Sequence, residues 1–399
     1  MSSEESLRQK ITAGIDAERD RIISTSEDVR KNPEIGYEEH RTVRTLTNAI
    51  DEFGFKIEHS LGGLDTAFRA SIDGYAPGPT IAVLTHYDAL PEIGHGCGHN
   101  LIAASAVAAA AGIGAISGDF PGRFEIIGTP AEEGGAGKVL LQEAGVFEDV
   151  DAALMLHHGG NQTTIATEYP DGTSLAVAHI DVEYVGQTAH AGADPHNGRN
   201  ALNGVIKFFN GVDSLRQHVP MSTRLHGIIT HGGAAPNIVP GYAACKYYVR
   251  AESRQELDTV LDSVKKIARA AADMTLTEST VNVHSICNDM RPNYAVGTRY
   301  RQNAESAGIT ITLDHEGKAY HSSDFGNVSH LMPAVMAFFA IADQPIPGHS
   351  QEVVDASGSE FGYEQLIKMS KAMTLTALDL LTDGELLEQA KSEHRQRFG

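Results

Sequence analysis

Three apolar runs alternate with helix-forming segments between residues 80 and 158, and this alternation constrains the fold more than any other feature. The runs are "TIAVLT", "RFEIIG" and "DAALMLHH", and they are separated by an Ala-rich segment from Leu101 and by "GKVLLQEAGVF". Uninterrupted apolar runs are typical of strands that are buried on both faces. We therefore predict an α/β fold with a mostly parallel sheet, in which ligands bind beyond the carboxyl ends of the strands.

The pattern of hydrophobic residues changes near residue 176, where "LAVAHIDVEYVG" alternates apolar and polar side chains. A helical segment, two strand segments, a second helical segment and a last strand follow, so the order is β-α-β-β-α-β. Ser253 and Glu256 are expected to form a capping box at the start of the second helix. This order predicts a ferredoxin-like α+β domain at 176–292, inserted between two parts of the α/β domain at 1–175 and 293–399.

The chain carries 52 acidic and 31 basic side chains among 399 residues, which gives a formal charge of −21. Such a surface repels nucleic acids and anionic membranes, so we expect neither as a partner. The N-terminus lacks an apolar signal-peptide core, and the longest apolar run, 101–116, is short for a membrane span. The three cysteines suit a reducing compartment. We therefore expect a soluble cytoplasmic protein.

The turn "GHGCGHN" after the first run places Cys97 and His99 two residues apart, with glycines on either side of the cysteine. Glycine frees the backbone to bring both side chains to one point. A thiolate and an imidazole together suit zinc, manganese or a similar divalent ion. A lone Cys-x-His pair is more often a buried thiol beside a surface histidine, so this turn alone leaves both interpretations open. Asn100 is expected to cap the Ala-rich helix.

The turns after the second and third runs carry Glu132–Glu133 and His157–His158. Two neighbouring carboxylates can divide their roles, since one binds a metal while the other takes a proton from water. Each pair taken singly also fits a solvated or structural role. Together with the first turn, they supply the side chains of a hydrolytic metal site. The sequence contains no His-Glu-x-x-His, Gly-x-Ser-x-Gly or Walker motif that would favour another chemistry.

These motifs resemble the metallo-amidohydrolase and peptidase family of aminoacylases, hippurate hydrolases, auxin-conjugate hydrolases and p-aminobenzoyl-glutamate hydrolase. The resemblance covers nearly the whole chain and is strongest to the p-aminobenzoyl-glutamate hydrolase branch. It rests on the blocks "NPEIGYEEHRT", "YDALPEIGHGCGHN", "GTPAEEGGAGK", "MLHH", "GQTAHAGADPHNGRNAL", "SSDFGNVSHLMP" and "PGHS". It implies that the inserted domain is a lid that also mediates dimerisation, so we expect a homodimer or a higher homo-oligomer.

The resemblance also implies a centre of two divalent ions, typically zinc, manganese or cobalt. The implied ligands are Cys97, His99, Glu133, His157 and His349. Within the same centre, Cys97 would bridge the ions as a thiolate. His349 follows "PG" far from the other ligands, and its spacing alone does not place it.

The remaining site residues are implied in the same way. Glu132 would act first as the general base and then as the general acid, and Asp88 would orient His99. His190 would stabilise the oxyanion, reaching the site from a partner subunit. Asn237 and Arg250 would contact the carboxylate or the acyl part of the substrate.

His86 departs from the pattern of the branch, which commonly has Glu-Tyr-Asp where this chain has "HYD". In related peptidase branches, a His-x-Asp motif supplies a zinc ligand at this position. His86 is therefore either an additional metal ligand or a residue that lies behind the ligands, and the resemblance leaves both roles open.

The reaction implied is metal-dependent hydrolysis of the C–N amide bond of an N-acyl amino acid, an aminobenzoyl-amino acid or a dipeptide-like substrate. One alternative is a metal-dependent aminohydrolase that removes an amino group from an aromatic amine. Another is a metal-binding protein whose catalytic site has decayed, since large folds do lose their original activity. The presence of Glu132, Cys97 and His99 argues against decay.

Overall fold

The computed structural model describes residues 3–170, 172–312 and 321–398, and it contains two compact units. The second unit comprises Ser174–Asp289 together with residues 321–323, and the first comprises the rest of the described chain. The predicted inserted domain, 176–292, has slightly different bounds from Ser174–Asp289. Within the predicted third segment, 293–399, residues 313–320 and 399 lie outside the described residues.

The first unit is built from helices α1–α5 and strands β1–β5, and the chain returns to it after the second unit. The elements before the second unit are α1 Ser3–Ala17, α2 Arg19–Lys31, α3 His40–Asp51, β1 Lys56–His59, β2 Phe68–Asp73, β3 Thr80–Thr85, α4 His99–Gly114, β4 Arg123–Gly128, α5 Gly137–Glu143 and β5 Ala152–His158.

The second unit contributes four strands and two helices, and six further elements complete the first unit. In chain order these are β6 Ala176–Val185, α6 Ala201–Leu215, β7 Arg224–His231, β8 Tyr242–Ala251, α7 Arg254–Thr275, β9 Glu278–Cys287, α8 Tyr294–Ser306, α9 Phe325–Leu331, β10 Ala334–Phe339, α10 Gln351–Ala356, α11 Glu360–Thr382 and α12 Gly384–Phe398.

The six-stranded sheet of the first unit has the order β1-β2-β4-β3-β5-β10. Strands β4, β3, β5 and β10 are parallel, as the apolar runs predict. The sheet is nevertheless mixed, because β2 pairs antiparallel with β4 and β1 pairs antiparallel with β2. The outermost of these strands, β1, is short and largely exposed, so it lacks the apolar run that marks a buried strand.

Helix α4 fills the centre of the first unit and is buried from His99 to Ile113. Its alanines allow close packing, and at Gly112 an added Cβ would lie 3.1 Å from side-chain atoms of Ile11, Ile15 and Thr374. A helix that is apolar on all sides is expected at the core of a large domain. The described part of the chain contains no helix with the combined length and hydrophobicity of a membrane span.

Asn100 does not cap α4, so that prediction is wrong. The helix already begins at His99, after Gly98, whose φ of 63° closes the preceding turn in the left-handed region. The buried Asn100 amide instead donates to Ser26 Oγ at 2.9 Å and to the carbonyl of Ser357 at 3.1 Å. It therefore links α4 to two other parts of the first unit.

The second unit has the ferredoxin-like sheet order β7-β8-β6-β9, and all its neighbouring strands are antiparallel. Helices α6 and α7 bury apolar side chains such as Phe208 and Val264 in its core. Ser253 caps α7 by accepting from the amide of Glu256, while the Glu256 carboxylate accepts from Thr223 Oγ1 at 3.0 Å. Only the serine half of the predicted capping box is therefore observed.

Replacing Asn100 should destabilise the first unit. In Asn100→Ala the buried Ser357 carbonyl loses a donor, which costs about 1–3 kcal/mol. The expected result is a lower urea midpoint in metal-free protein, compared with Asn210→Ala on the exposed face of α6. Equal midpoints for the two variants would contradict the linking role of Asn100.

Candidate metal centre

The turns that follow β3, β4 and β5 meet at one edge of the sheet. The parallel register aligns Thr85 with Gly128 and Leu84 with Met155, so β3 and β4 end at the same level and β5 ends at His158, a little further on. The carboxyl ends of parallel strands are where ligands bind in such sheets. The structure brings the predicted side chains of all three turns together there, and it adds His349 from the turn before α10.

The described residues contain three sets of potential metal-ligand atoms. Within each set, the atoms lie within 4.8 Å of one another. The sets are His86, His99 and His157; Cys97, Glu133 and His349; and His99, Glu132 and Glu133. Sulfur, nitrogen and oxygen donors thus surround one compact volume, and His99 and Glu133 each belong to two sets.

His99 is held in the tautomer that a metal ligand requires. Its Nδ1 lies 2.8 Å from the carbonyl oxygen of Asp88 and 3.2 Å from Asp88 Oδ1, so the ring proton resides on Nδ1. Nε2 is then the nitrogen left for a second proton or a cation, and it lies 3.9 Å from Glu133 Oε1. A carbonyl or carboxylate behind the imidazole is the usual way in which proteins orient a ligating histidine.

His157 and His349 complete the ring of donors. His157 Nδ1 lies 2.9 Å from the carbonyl oxygen of His158, which leaves the lone pair on Nε2, 3.8 Å from Cys97 Sγ. His349 has a φ of 54°, and its Nε2 lies 3.5 Å from Glu133 Oε2. Its side chain is 58% exposed, so this side of the centre is open.

Asp88 joins two of the turns. Its Oδ2 accepts from the amide of Glu133 at 2.9 Å, while Oδ1 faces His99. Burial alone would raise the pKa of Asp88, but the hydrogen bond and charge of His99 outweigh burial and hold that pKa below its usual value. The carboxylate therefore stays charged and positions both residues.

The backbone of the Glu132–Glu133 turn is strained and held from outside. Ala131 has a φ of 55°, in the left-handed region that few residues with a Cβ adopt. Its amide donates to the buried Glu39 Oε1 at 2.8 Å, and the Tyr37 hydroxyl donates to the carbonyl of Gly135. Sequence reasoning missed Tyr37 and Glu39 as site residues, although both lie in the block "NPEIGYEEHRT".

Protons occupy several of these groups when no cation is bound. Burial, together with the charges of Asp324 and Glu133, raises the pKa of Glu132 to about 8. Burial raises the pKa of the Cys97 thiol to about 12. Burial disfavours a charged His99, but its interactions with Cys97 and Asp88 outweigh burial and raise its pKa well above the ordinary value.

These residues fit a divalent cation. Among the described residues, the buried atoms His99 Nε2 and Glu133 Oε1 have no hydrogen-bond partner. Buried polar atoms without partners are rare and costly, and a cation between the two would satisfy both. A mixed set of thiolate, imidazole and carboxylate donors suits zinc and neighbouring transition metals.

The other predicted residues, His190, Asn237 and Arg250, belong to the second unit. His190 Nδ1 accepts from the amides of Gly192 at 3.2 Å and Ala193 at 3.0 Å, so its Nε2 carries the proton and is a donor. The carbonyl of Asn237 accepts from the amide that follows His190, which brings these two segments together. Arg250, on β8, is half-buried and donates to Ser322 Oγ at 2.7 Å.

Comparison with known proteins gives one match within the second unit and others along almost the whole chain. Residues 174–274 match the model of the peptidase dimerisation domain of the M20 family. The chain is 35% identical to the Xaa-Arg dipeptidase of Mus musculus over 98% of this chain and 93% of that protein. It is 28% identical to one of the p-aminobenzoyl-glutamate hydrolase chains of Escherichia coli (strain K12), over 97% and 94% of the two chains.

Solved structures share the fold at lower sequence identity. The aminobenzoyl-glutamate utilization protein from Klebsiella pneumoniae superposes with a TM-score of 0.73 at 19% identity, over 96% of this chain and all of that one. A dinuclear metal-binding peptidase of the M20 family from Bacillus subtilis gives 0.66 at 17% identity, over 92% and 99%.

The fold and its convergent donor side chains define a metal-dependent amidohydrolase. The identity to curated relatives along almost the full length then makes the assignment specific: the chain belongs to the M20 peptidase family. The predicted family, fold class and enzymatic nature are thereby confirmed.

The raised pKa of Glu132 predicts how metal-free protein responds to pH. The folded chain keeps a proton on Glu132 that the unfolded chain releases from its ordinary pKa of 4.5 upwards. The stabilisation present below that value is therefore lost as the pH rises through about 8. Glu132→Gln has no carboxyl group to titrate, so its stability does not fall in this way. The melting temperature of the variant minus that of the native chain should therefore increase from about pH 6 to about pH 9.

The measurement is a pair of melting curves for each protein in excess chelator. The exposed Glu148→Gln variant serves as the control, because its stability difference from the native chain should not change over this range. A pH-independent difference for Glu132→Gln would show that Glu132 does not hold its proton in the folded chain.

Proposed function

We propose that this enzyme cleaves dipeptides and related N-acyl amino acids, with an amino acid as the leaving amine and two divalent cations at the centre. The observation that carries the proposal is the position of Glu132, whose carboxyl group lies with His99 and Glu133 in one set of potential ligand atoms. A carboxyl group that adjoins potential metal ligands is suited to move a proton during hydrolysis.

The proposed ligands share a single centre in the first unit. They are Cys97, His99, Glu133, His157 and His349. Zinc, manganese and cobalt all suit this donor set. When bound, such a cation supplies Lewis-acid activation of water and of the substrate carbonyl.

The proton route runs through Glu132. In the proposed reaction its carboxylate accepts the proton of the attacking water and later gives that proton to the leaving amine. Asp88 contacts both His99 and the amide of Glu133, so it keeps the neighbouring turn aligned for this transfer.

The second unit supplies the remaining groups in this proposal. His190, whose Nε2–H is a donor, stabilises the oxyanion of the tetrahedral intermediate, and it does so from the partner subunit. Arg250 and Asn237 contact the substrate, with the guanidinium pairing to its carboxylate.

A homodimer is supported by the second unit itself. Strand β7 lies at the edge of its sheet, and there Ile228 is 65% exposed and Ile229 46% exposed. An exposed apolar edge strand is a template for pairing with another chain. The free thiols Cys97 and Cys245 support a reducing, cytoplasmic location.

The substrate class follows from the relatives, one of which is a dipeptidase and another an aminobenzoyl-glutamate hydrolase. Both names describe an amide between an acyl part and an amino acid. The test is an assay of chelated and metal-reloaded protein on Xaa-Arg and β-alanyl dipeptides, N-acyl amino acids, p-aminobenzoyl-glutamate and aminobenzoates.

Hydrolysis should disappear on chelation, return with manganese, zinc or cobalt, and be confined to substrates with an amide and a free carboxylate. Ammonia released from aminobenzoates alone would favour the aminohydrolase instead. A complete lack of recoverable hydrolysis on all substrates would contradict the proposed activity.

Glu132→Gln isolates the proton transfer from metal binding. The amide keeps the size of the side chain but cannot accept the proton, so kcat should fall by about 10²–10⁴ while the cation content stays at the native level. Glu132→Asp, which keeps the carboxylate, should retain more activity. A near-normal kcat for Glu132→Gln would rule out Glu132 as the base.

A further inference from the structure

A buried ion pair that the proposed mechanism does not use lies behind the metal centre. Lys138 Nζ lies 2.7 Å from Asp324 Oδ1, and both side chains are fully buried. The backbone amide of Lys138 also donates to Asp324 Oδ2 at 3.0 Å. An unpaired buried charge is strongly destabilising, and in this ion pair each group compensates the charge of the other.

The same ammonium group contacts His86. Lys138 Nζ lies 3.2 Å from His86 Nδ1. An ammonium group has donors and no acceptor, so Nδ1 of His86 must accept this hydrogen bond. The one proton of the neutral imidazole is then on Nε2.

This tautomer is the opposite of the one at the neighbouring histidines. In His99 and His157 the Nδ1 proton is donated to a carbonyl oxygen, and the lone pair on Nε2 is available to a cation. In His86 the Nδ1 lone pair is used by Lys138, and Nε2 carries a proton. The ring centroid of His86 nevertheless lies 4.0 Å from that of His99 and 5.5 Å from that of His157.

We propose that His86 is a hydrogen-bond donor to an oxygen bound at the metal centre and does not bind a cation. Its ring is fully buried, and Nε2 has no hydrogen-bond partner among the described residues, so the donor is reserved for a bound group. The inference rests on the proposed two-cation centre, and it assigns Lys138 and Asp324 as positioning residues that fix the tautomer of His86.

Metal binding by His86 is incompatible with the ion pair. Ligation through Nε2 would require the proton on Nδ1, where it would face the ammonium of Lys138. Relief of that clash would need a neutral lysine, which would leave Asp324 as an unpaired buried carboxylate. The group of three histidines is therefore not a third cation site in this chain.

Cation titrations of His86 variants separate the two roles. His86→Gln keeps a donor near the position of Nε2 but cannot replace an imidazole ligand well, and His86→Leu keeps neither. Both variants should bind as many zinc ions per chain as the native enzyme, with affinity weakened by less than about tenfold. His157→Gln is the control in which a proposed ligand is lost, and its zinc content should fall.

The same variants report on the donor. His86→Leu should lower kcat at least about tenfold, with partial recovery in His86→Gln. Loss of a zinc ion from both variants, or an unchanged kcat in His86→Leu, would overturn the proposal. A native enzyme that binds no zinc would instead refute the proposed function, so the two failures are distinguishable.

Nitrogen-15 NMR of the histidine rings tests the tautomer in the native protein, without depending on whether a variant folds. The signals of His86, assigned by their loss in His86→Gln, should show a protonated Nε2 and an unprotonated Nδ1 with and without zinc. Lys138→Met should remove this preference. A native His86 with its proton on Nδ1 would contradict the proposal.

Discussion

The carboxylate of Asp88 is the interaction on which the metal centre depends. It is buried at the carboxyl end of the sheet, where it faces His99 Nδ1 with one oxygen and accepts from the amide of Glu133 with the other. One side chain thus fixes the tautomer of a proposed ligand and the backbone of the turn that supplies another. The parallel strands β3 and β4, which precede the two turns, end at the same level.

The balance of charge at this edge of the sheet explains why a cation fits there. Lys138 is an ammonium group that pairs directly with Asp324. Burial, together with the charges of Asp324 and Glu133, raises the pKa of Glu132 to about 8 when no cation is bound. A divalent cation takes the place of such protons, so metal binding and proton release are coupled.

The sequence predicts the parts of this centre that depend on strand ends. Apolar runs mark β3, β4 and β5, and the turn after each carries side chains that the structure brings together. The short edge strand β1 is not predicted, because it is exposed and has no apolar run. The cap predicted at Asn100 is wrong because the preceding glycine starts the helix and leaves the amide for a tertiary link.

Contacts between distant segments account for most of what the sequence does not reveal. Glu39 reaches Ala131 across 92 positions, and Lys138 pairs with Asp324 across 186. No local spacing predicts such pairs, because they depend on how separate elements pack. The role of His86 is of this kind, since its neighbour Lys138 decides which ring nitrogen carries the proton.

X-ray absorption spectroscopy of the zinc-loaded enzyme tests the central claim most directly. If the centre is built from the three strand-end turns, sulfur from Cys97 must be among the atoms bound to zinc, together with nitrogen and oxygen. The sulfur signal should disappear in Cys97→Ser. A native spectrum with nitrogen and oxygen neighbours alone would contradict the account, because zinc would then lie outside the turn that carries Cys97.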